Sequence, residues 1–180
     1  WKRQAFREGQ RIAQLAGAET RTRTGPHLRL TENAERPEDI ERARNLGVTG
    51  IGLYRTEFLF LAHDGLPSED EQFHAYRDAV VGAGGLPVTI RTLDLGADKA
   101  DAAGLVMAAE PNPALGVRGV RLSLHQPDVF VIQLRAILRA GCYGPLRILV
   151  PMVTEVAELV EVRHLLQECA RDLRTAGHEI

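Results

Sequence analysis

The sequence is poor in several features that would place a protein in a class at once. Only two of its 180 residues are cysteine, Cys142 and Cys169, so a disulfide framework is excluded and a reducing compartment is expected. Aromatic residues make up 5%, and the formal net charge of -2 provides no overall field that attracts nucleic acid or membranes. No apolar run is long enough to cross a bilayer. We therefore expect a cytoplasmic protein without membrane insertion or a nucleic-acid partner.

The first residues also lack the marks of a secreted protein. The segment WKRQAFREGQRIAQLA carries basic residues but no apolar stretch followed by a cleavage site, so we expect that it is not a signal peptide. An initiator methionine is absent as well, so we expect a fragment of a longer protein. Residues 1–26 are predicted to form a linker helix and a connector from a preceding domain. Residues 27–180 are predicted to form one further domain.

What the chain does have is an alternation of apolar strands and amphipathic helices. The predicted strands, rich in apolar and β-branched residues, are 27–33, 48–54, 87–95 and 147–153. The helices that follow them are predicted at 37–46, 68–82, 127–141 and 155–176. Four such units in a row predict an α/β fold with a parallel sheet. Two closures remain open: a doubly wound sheet, or part of a (β/α)8 barrel, which needs about 250 residues when complete.

Two of these helices carry detailed signals. Ser68 precedes Glu71 by three residues, which predicts a reciprocal capping box at the start of the second long helix. The last helix has apolar residues at helical spacing, which predict its inner stripe: Leu159, Val162, Leu166, Cys169 and Leu173. Cys169 is therefore interpreted as a core residue, and Cys142 as a structural one.

The chemistry lies where the strands end. The predicted second strand leads into Arg55-Thr56, the predicted third strand carries Arg91-Thr92, and the stretch NPALGVRGVR adds Arg118 and Arg121. In parallel α/β folds, ligands bind beyond the carboxyl ends of the strands. Arginines that converge there suit a small polyanion, because guanidinium groups bind phosphate or carboxylate through paired hydrogen bonds.

A structural interpretation competes with this functional one. Glu57 follows Arg55 closely and Asp94 follows Arg91, so each arginine has a carboxylate nearby for an internal salt bridge. For any single arginine the structural interpretation is preferred. Two arginine-threonine pairs on neighbouring strands favour a ligand site, with Glu57 and Asp94 orienting the arginines.

Several ordered strings resemble one known family. GIGLYRTEFLF, LPSEDEQFHAYRDAV, TIRTLDLGADK and NPALGVRGVRL followed by QLRAILRA are similar to Enzyme I of the bacterial phosphotransferase system. The similarity is to the phosphoenolpyruvate (PEP)-binding barrel of this PEP-utilising enzyme and extends over nearly the whole chain. It implies the first half of a (β/α)8 barrel after a linker helix. Pyruvate phosphate dikinase and PEP synthase share the barrel and a weaker form of the same strings.

The resemblance implies both an activity and residues for it. The family transfers the phosphoryl group of PEP to a histidine on a separate domain, and from there to the carrier protein HPr. By motif, Arg55 and Arg91 are expected to bind the transferred phosphate, with Arg118 as a third positive charge. Lys99 in LGADKAD matches a lysine that is common in the family. Two interpretations of Lys99 remain open: it approaches the phosphate, or it is a solvated loop residue. Asn33 matches a family asparagine, although the residues around it depart from the usual string.

The resemblance also implies what lies outside this sequence. The family's magnesium carboxylates, its proton-donating cysteine and its phosphohistidine match no residue between 1 and 180. No catalytic or metal-binding residue is therefore predicted here, and Mg²⁺ is expected only in the full-length protein. The chain alone is expected to be inactive. Half a barrel exposes two strand edges and its interior, which predicts self-association or marginal stability, and the resemblance also implies a homodimer.

Two alternatives remain open beside the protein phosphotransferase. One is a dikinase or synthase that phosphorylates a small molecule on the same barrel. The other is a non-catalytic regulatory or dimerisation module. The sequence does not distinguish the sugar, nitrogen-linked and multidomain branches of the phosphotransferase system.

Overall fold

The computed structural model describes residues 2–14, 20–62, 65–96, 105, 112 and 116–180. The described helices are α1 (Lys2–Gln14), α2 (Pro37–Asn45), α3 (Glu57–Ala62), α4 (Glu69–Gly82), α5 (Val120–His125), α6 (Pro127–Ala140) and α7 (Val156–Thr175). The strands are β1 (Thr31–Ala34), β2 (Gly50–Arg55), β3 (Val88–Arg91) and β4 (Leu146–Leu149). Among the described residues, no helix combines the length and apolar character needed to span a bilayer.

The four strands form one parallel sheet in the order in which they occur along the chain, β1-β2-β3-β4. A doubly wound sheet needs a reversal of this order, because its helices cover both faces. Here α2, α4 and α6 share one apolar core with β2 and β3. Since crossovers between parallel strands are right-handed, adding strands always in one direction keeps the helices on one face. The prediction of an α/β fold arranged as part of a barrel is confirmed.

A β-bulge interrupts β2 before its charged end. Ile51 pairs with Val88 and Tyr54 pairs with Ile90, so three steps along β2 oppose two steps along β3. The pairing of β2 with β1 shifts at the same place. Gly52 lies in this bulge, and a Cβ atom there would overlap the hydroxyl of the first residue of β1. The bulge therefore depends on a residue without a side chain.

The bulge determines which way the end of β2 faces. Ile51 and Tyr54 both lie in the apolar core against the helices, although strict alternation would place them on opposite faces. Arg55 follows Tyr54 and so projects from the other face of the sheet. Its register partner on β3 is Arg91, which lies next to the buried Ile90 and projects the same way. Without the extra residue, Arg55 would point at the helix layer.

The apolar core lies between the sheet and the helices on its outer face. It contains completely buried residues from α2, β3, α4 and α6: Ile40, Ala43, Val88, Ile90, Tyr76, Ala79, Ala136 and Ile137. A second cluster beyond the strand ends contains Phe60, Leu93, Leu95, Leu105 and Leu122. A third joins α6 and α7 through residues that include Leu134, Val162 and Cys169. These clusters anchor the elements from which the polar edge of the sheet extends.

Most of the helix features predicted from the sequence are confirmed. Ser68 caps α4 by accepting from the backbone N–H of Glu71, while the Glu71 carboxylate accepts from the N–H of Ser68 at 2.8 Å. Within the predicted stripe of α7, Val162, Cys169 and Leu173 are buried. Leu159 is 46% exposed, so its assignment to the inner stripe was wrong. It lies in the first turn of α7.

The first strand differs most from its prediction. The predicted strand 27–33 is observed as Thr31–Ala34. His27 forms an isolated antiparallel bridge with Arg21, and the N–H of Leu28 donates to the carbonyl of Thr20 at 2.8 Å. Residues 27 and 28 therefore pair with the preceding segment and cannot join β2. The third strand is also shorter than predicted, because the chain leaves the sheet after Arg91.

Two short helices, α3 and α5, were not predicted. The sequence EFLFLA of α3 directly follows β2 and continues its apolar run, so periodicity could not separate helix from strand. α5 begins after Gly119, whose φ of 56° belongs to the left-handed region that glycine tolerates. Both helices matter for the site, since α3 begins with Glu57 and α5 begins two residues after Arg118.

Candidate functional site

Three arginines line one hollow at the carboxyl edge of the sheet. Arg55 and Arg91 are the last residues of β2 and β3, and Arg118 lies just before α5. The hollow has a volume of about 500 Å³, and its described lining also includes Phe58 and Leu61 of α3. The structure brings these three sequence-predicted arginines together. Their role in binding stays a prediction.

Each arginine also contacts a carboxylate. Nη1 of Arg55 lies 2.5 Å from Oε1 of Glu35, in the connection between β1 and α2. Arg91 contacts Glu57 Oε1 at 3.1 Å and Asp94 Oδ2 at 3.3 Å. Nε and Nη2 of Arg118 both lie 3.1 Å from Asp94 Oδ1. Among the described lining residues, three guanidinium groups and three carboxylates therefore cancel in formal charge.

These pairs do not close the site. The side chain of Arg55 is 41% exposed, that of Arg118 is 27% exposed, and that of Arg91 is 21% exposed, all facing the same open hollow. Asp94 and Glu57 are more deeply placed than the arginines, with side-chain exposures of 7% and 11%. The carboxylates of Asp94 and Glu57 thus lie behind the guanidinium groups, which present their outer N–H groups to the hollow.

Two charged groups at this edge keep an unused hydrogen-bonding atom. Nε of Arg91 and Oε2 of Glu57 are buried and have no hydrogen-bond partner among the described residues. Glu57 Oε1, by contrast, accepts from both Arg91 Nη2 and the backbone N–H of Asp94, the latter at 2.9 Å. A buried donor without a partner is costly, so the unused Nε of Arg91 calls for an explanation such as a water or ligand that completes its hydrogen bonds.

A buried polar network lies directly behind the hollow. The Thr56 hydroxyl donates to the carbonyl of Arg91 at 3.0 Å and accepts from Gln133 Nε2 at 3.3 Å. Gln133 Oε1 in turn accepts from the N–H of Leu93 at 3.0 Å. The Tyr76 hydroxyl, whose pKa is raised by burial, stays protonated and joins the same network. Sequence reasoning missed Gln133, although one polar residue on the apolar face of α6 was a signal.

The remaining sequence candidates lie elsewhere. Lys99 falls outside the described residues. Asn33 is exposed on β1 and is absent from the described lining of the hollow. Arg121 turns away from it: Nη2 donates to the carbonyl of Gly116 at 3.2 Å, and Nη1 lies 3.5 Å from the carbonyl of Met152.

Neither cysteine is part of this site. Cys169 is buried in the α6–α7 core, as predicted, and burial raises the pKa of its thiol. Cys142 is exposed in the turn after α6, where its thiol donates to the carbonyl of Glu179 at 2.6 Å. Its contact is at the opposite end of β4 from the hollow.

A magnesium ion does not fit the described residues. No group of three or more histidine, cysteine, aspartate or glutamate side chains among them is placed to hold a metal ion. The three carboxylates of the hollow each contact an arginine, which opposes their use as ligands of a hard cation. The donor set is instead one of guanidinium groups, which matches an anion.

The chemistry available here is recognition of a phosphoryl or carboxylate group by several guanidinium forks. Charge-assisted hydrogen bonds from arginine are stronger than neutral ones, and the fork fixes the orientation of the bound oxygens. Convergence from neighbouring strands places the forks on a rigid frame. Such a frame suits charge stabilisation during group transfer, which requires donors that need not reorganise.

Comparison with known proteins also indicates a domain that binds a phosphorylated ligand. A family model described as "PEP-utilising enzyme, PEP-binding domain" matches residues 9–180. The chain is 43% identical over 175 residues to a phosphoenolpyruvate-protein phosphotransferase of Staphylococcus aureus. It is 42% identical over 175 residues to that of Staphylococcus carnosus and 46% identical over 172 residues to that of Cupriavidus necator. These alignments cover 94% to 97% of this chain and 29% to 30% of the relatives, so the chain spans about three tenths of their length.

Proposed function

The chain belongs to the PEP-utilising enzymes, whose PEP-binding domain it matches over residues 9–180, and from that membership we propose that the hollow binds the phosphate of PEP. The observation that carries the proposal is the convergence of Arg55, Arg91 and Arg118 on one hollow of about 500 Å³. The hollow is larger than a phosphate, which leaves space for the enolpyruvate part of the ligand.

The proposed activity is that of a phosphoenolpyruvate-protein phosphotransferase, as in the relatives named above. In this proposal the full-length protein transfers the phosphoryl group of PEP to a histidine, releases pyruvate and passes the group on to HPr. The described residues bind and orient the phosphate. Phosphoryl transfer depends mainly on such positioning and on neutralising charge at the transferring oxygens.

Binding has to rearrange at least one ion pair. The hollow is formally neutral along its described lining, so a phosphate dianion gains little while all three carboxylates hold their arginines. Glu35 is the partner most easily displaced, since it contacts only Arg55 in this set and its side chain is 26% exposed. Asp94 and Glu57 stay behind Arg91 and Arg118 and keep them oriented.

The domain boundaries stay part of the proposal. Residues 1–26 are proposed to link to a preceding domain, and residues 27–180 to form the first half of a (β/α)8 barrel. β1 and β4 lie at the edges of the described sheet, where unpaired backbone groups are free to bind another strand. We expect the isolated chain to self-associate and to form no pyruvate. Size-exclusion chromatography and a pyruvate-release assay check these two expectations.

The remaining partners are proposed for the full-length enzyme. Mg²⁺ is proposed with ligands outside residues 1–180, and no step here depends on it. HPr is proposed to bind through a domain that precedes this one, and the full-length protein is proposed to be a cytoplasmic homodimer. The similarity to phosphoenolpyruvate-protein phosphotransferases favours a protein phosphotransferase over a PEP synthase or a pyruvate phosphate dikinase.

The test is a titration of PEP into the chain, followed by the chemical shifts of its backbone amides. We expect saturable shifts at residues 55–57, 91–94 and 118, and weaker binding as the salt concentration rises. Arg55→Met is the preferred variant, because the half-exposed Arg55 contributes little to the fold. Shifts confined to other surfaces, or equal binding by Arg55→Met, would refute the proposal and leave the non-catalytic module as the better account.

A further inference from the structure

Gln133 lies where a polar residue is unexpected. It occupies the middle of α6, on the face that buries Phe130, Leu134 and Ile137, and it is 1% exposed. A carboxamide without hydrogen bonds in such a place is strongly destabilising, whereas a leucine or methionine there would bury apolar surface. Its presence therefore needs a reason beyond filling the core.

The hydrogen bonds of Gln133 supply that reason. Oε1 accepts from the backbone N–H of Leu93 at 3.0 Å, and Nε2 donates to the Thr56 hydroxyl at 3.3 Å and to the Tyr76 hydroxyl at 3.2 Å. Thr56 is the residue after Arg55, and Leu93 is two residues after Arg91. One amide group thus holds the chain just beyond both strand ends.

Thr56 extends this link to the arginine itself. Its hydroxyl donates to the carbonyl of Arg91 at 3.0 Å, so the residue after Arg55 is tied both to Arg91 and, through Gln133, to α6. The described sheet hydrogen bonds end near this point, and the chain beyond β3 is irregular from residue 92 to residue 96. Gln133 replaces the missing strand contacts there.

We propose that Gln133 is a positioning residue of the phosphate site. It fixes the distance and relative orientation of the ends of β2 and β3, and through them the two guanidinium groups of Arg55 and Arg91. The proposal rests on the proposed function, since it states how the phosphate-binding pair is kept in place. It predicts that replacing the Gln133 amide weakens phosphate binding, whereas the rest of the fold is retained.

Gln72 provides a matched control within the same network. It is also fully buried, and its amide donates to the carbonyl of Pro67 at 3.0 Å and accepts from the Tyr76 hydroxyl at 3.1 Å. None of its described hydrogen bonds reaches a residue at the strand ends. Gln133→Met and Gln72→Met each replace a buried amide by an apolar side chain of similar size, so both should reduce stability.

The experiment measures phosphate binding and stability for the whole chain and both variants. Inorganic phosphate and PEP are titrated by amide chemical shifts, and stability is measured by urea unfolding. Since small misplacements of binding groups are costly, we expect Gln133→Met to weaken phosphate binding roughly tenfold or more. Gln72→Met should keep the affinity of the unmodified chain. Equal affinities of the two variants, whether both unchanged or both reduced, would overturn the proposal.

Two further readouts separate this inference from the proposed function. Hydrogen exchange at the Leu93 amide should accelerate in Gln133→Met relative to Gln72→Met, with or without ligand. Unchanged exchange at the Leu93 amide would overturn the positioning role, whether or not the chain binds phosphate. Absence of phosphate binding, on its own, would refute only the proposed function. With ligand, Thr56→Val and Gln133→Met should be non-additive in binding, because both break one chain of hydrogen bonds. Strict additivity would also contradict the proposal.

Discussion

Two of the arginine clusters among the described residues differ in character. At the carboxyl edge of the sheet, Arg55, Arg91 and Arg118 surround a hollow. On the outer layer, Arg135 and Arg139 of α6 contact α4 through Glu69, each at 2.6 Å. Both clusters consist of arginines paired with carboxylates, so pairing alone does not distinguish a binding site from a structural contact.

The difference lies in what else the guanidinium groups face. Arg139 also contacts Asp70 at 2.8 Å, and its guanidinium carbon lies 4.2 Å from the centroid of the Phe73 ring. Arg139 borders a surface cavity of about 420 Å³, but it is the only arginine in the described lining. At the sheet edge three arginines share one space, and the Nε donor of Arg91 has no described partner. What identifies the candidate site is that its three arginines converge at the carboxyl ends of the strands, where parallel α/β folds bind ligands.

The largest expected effect compares one arginine from each cluster. Arg91→Met should reduce phosphate affinity by about a hundredfold or more, because two charge-assisted hydrogen bonds to the ligand are lost, each worth about 1.5–3 kcal/mol. Arg139→Met should leave the affinity unchanged and lower the free energy of unfolding by about 1 kcal/mol. Phosphate titration and urea unfolding measure the two effects. A loss of affinity in Arg139→Met as large as that in Arg91→Met would remove the distinction between the clusters.

A smaller effect of opposite sign is expected at Glu35. Glu35→Gln removes the carboxylate that competes with a bound phosphate for Arg55, so phosphate affinity should rise about tenfold. Glu38→Gln, an exposed change of the same charge on α2, is the control for long-range charge and should have little effect. Weaker binding by Glu35→Gln would show that Glu35 orients Arg55 and does not compete with the ligand.

Two threonines at the sheet edge are expected to differ in their contribution to stability. Thr56→Val removes a hydroxyl that bonds both Arg91 and Gln133, so the free energy of unfolding should fall by about 1–2 kcal/mol. Thr92 occupies the equivalent place after Arg91, but its buried hydroxyl has no described partner. Thr92→Val should therefore be neutral or slightly stabilising. Urea unfolding of both variants checks this order, which equal losses would contradict.

The smallest effect is the response of the outer cluster to acid. Burial opposes the charged form of Glu69, but hydrogen bonds from Arg135 and Arg139 outweigh it and lower the pKa of Glu69 below 4.5. A carboxylate whose pKa is lower in the folded state than in the unfolded state stabilises the fold at any pH above its unfolded-state pKa. This stabilisation is lost as the pH falls through the folded-state pKa. The unfolding free energy should therefore decline less below about pH 5 in Glu69→Gln than in the unmodified chain. The difference between the two declines should be less than about 1 kcal/mol. An identical acid profile would indicate that this pair adds nothing.

The sequence predicted the parts of this structure that depend on local patterns. The capping box at Ser68, the buried Val162, Cys169 and Leu173 of α7, and the position of Arg55 at the end of β2 all follow from spacing along the chain. These features arise from residues a few positions apart, where periodicity and capping rules apply directly.

The parts that were missed depend on contacts between distant segments. Glu35 reaches Arg55 across 20 residues, and Gln133 reaches Thr56 across 77. The bulge at Gly52 reverses the facing of Arg55, which a strict period of two assigns to the helix side. None of these has a local signal strong enough to fix it, because each is decided by packing of the assembled sheet against its helices.

The most direct measurement follows the arginine side chains themselves while PEP is added. In the chain labelled with ¹⁵N-arginine, and with resonances assigned by single substitutions, the Nε–H signals of Arg55, Arg91 and Arg118 should shift together and saturate at one common dissociation constant. The signals of Arg135 and Arg139 should stay in place. Shifts of all five arginines with equal amplitude, or no shift at the three strand-end arginines, would contradict the account.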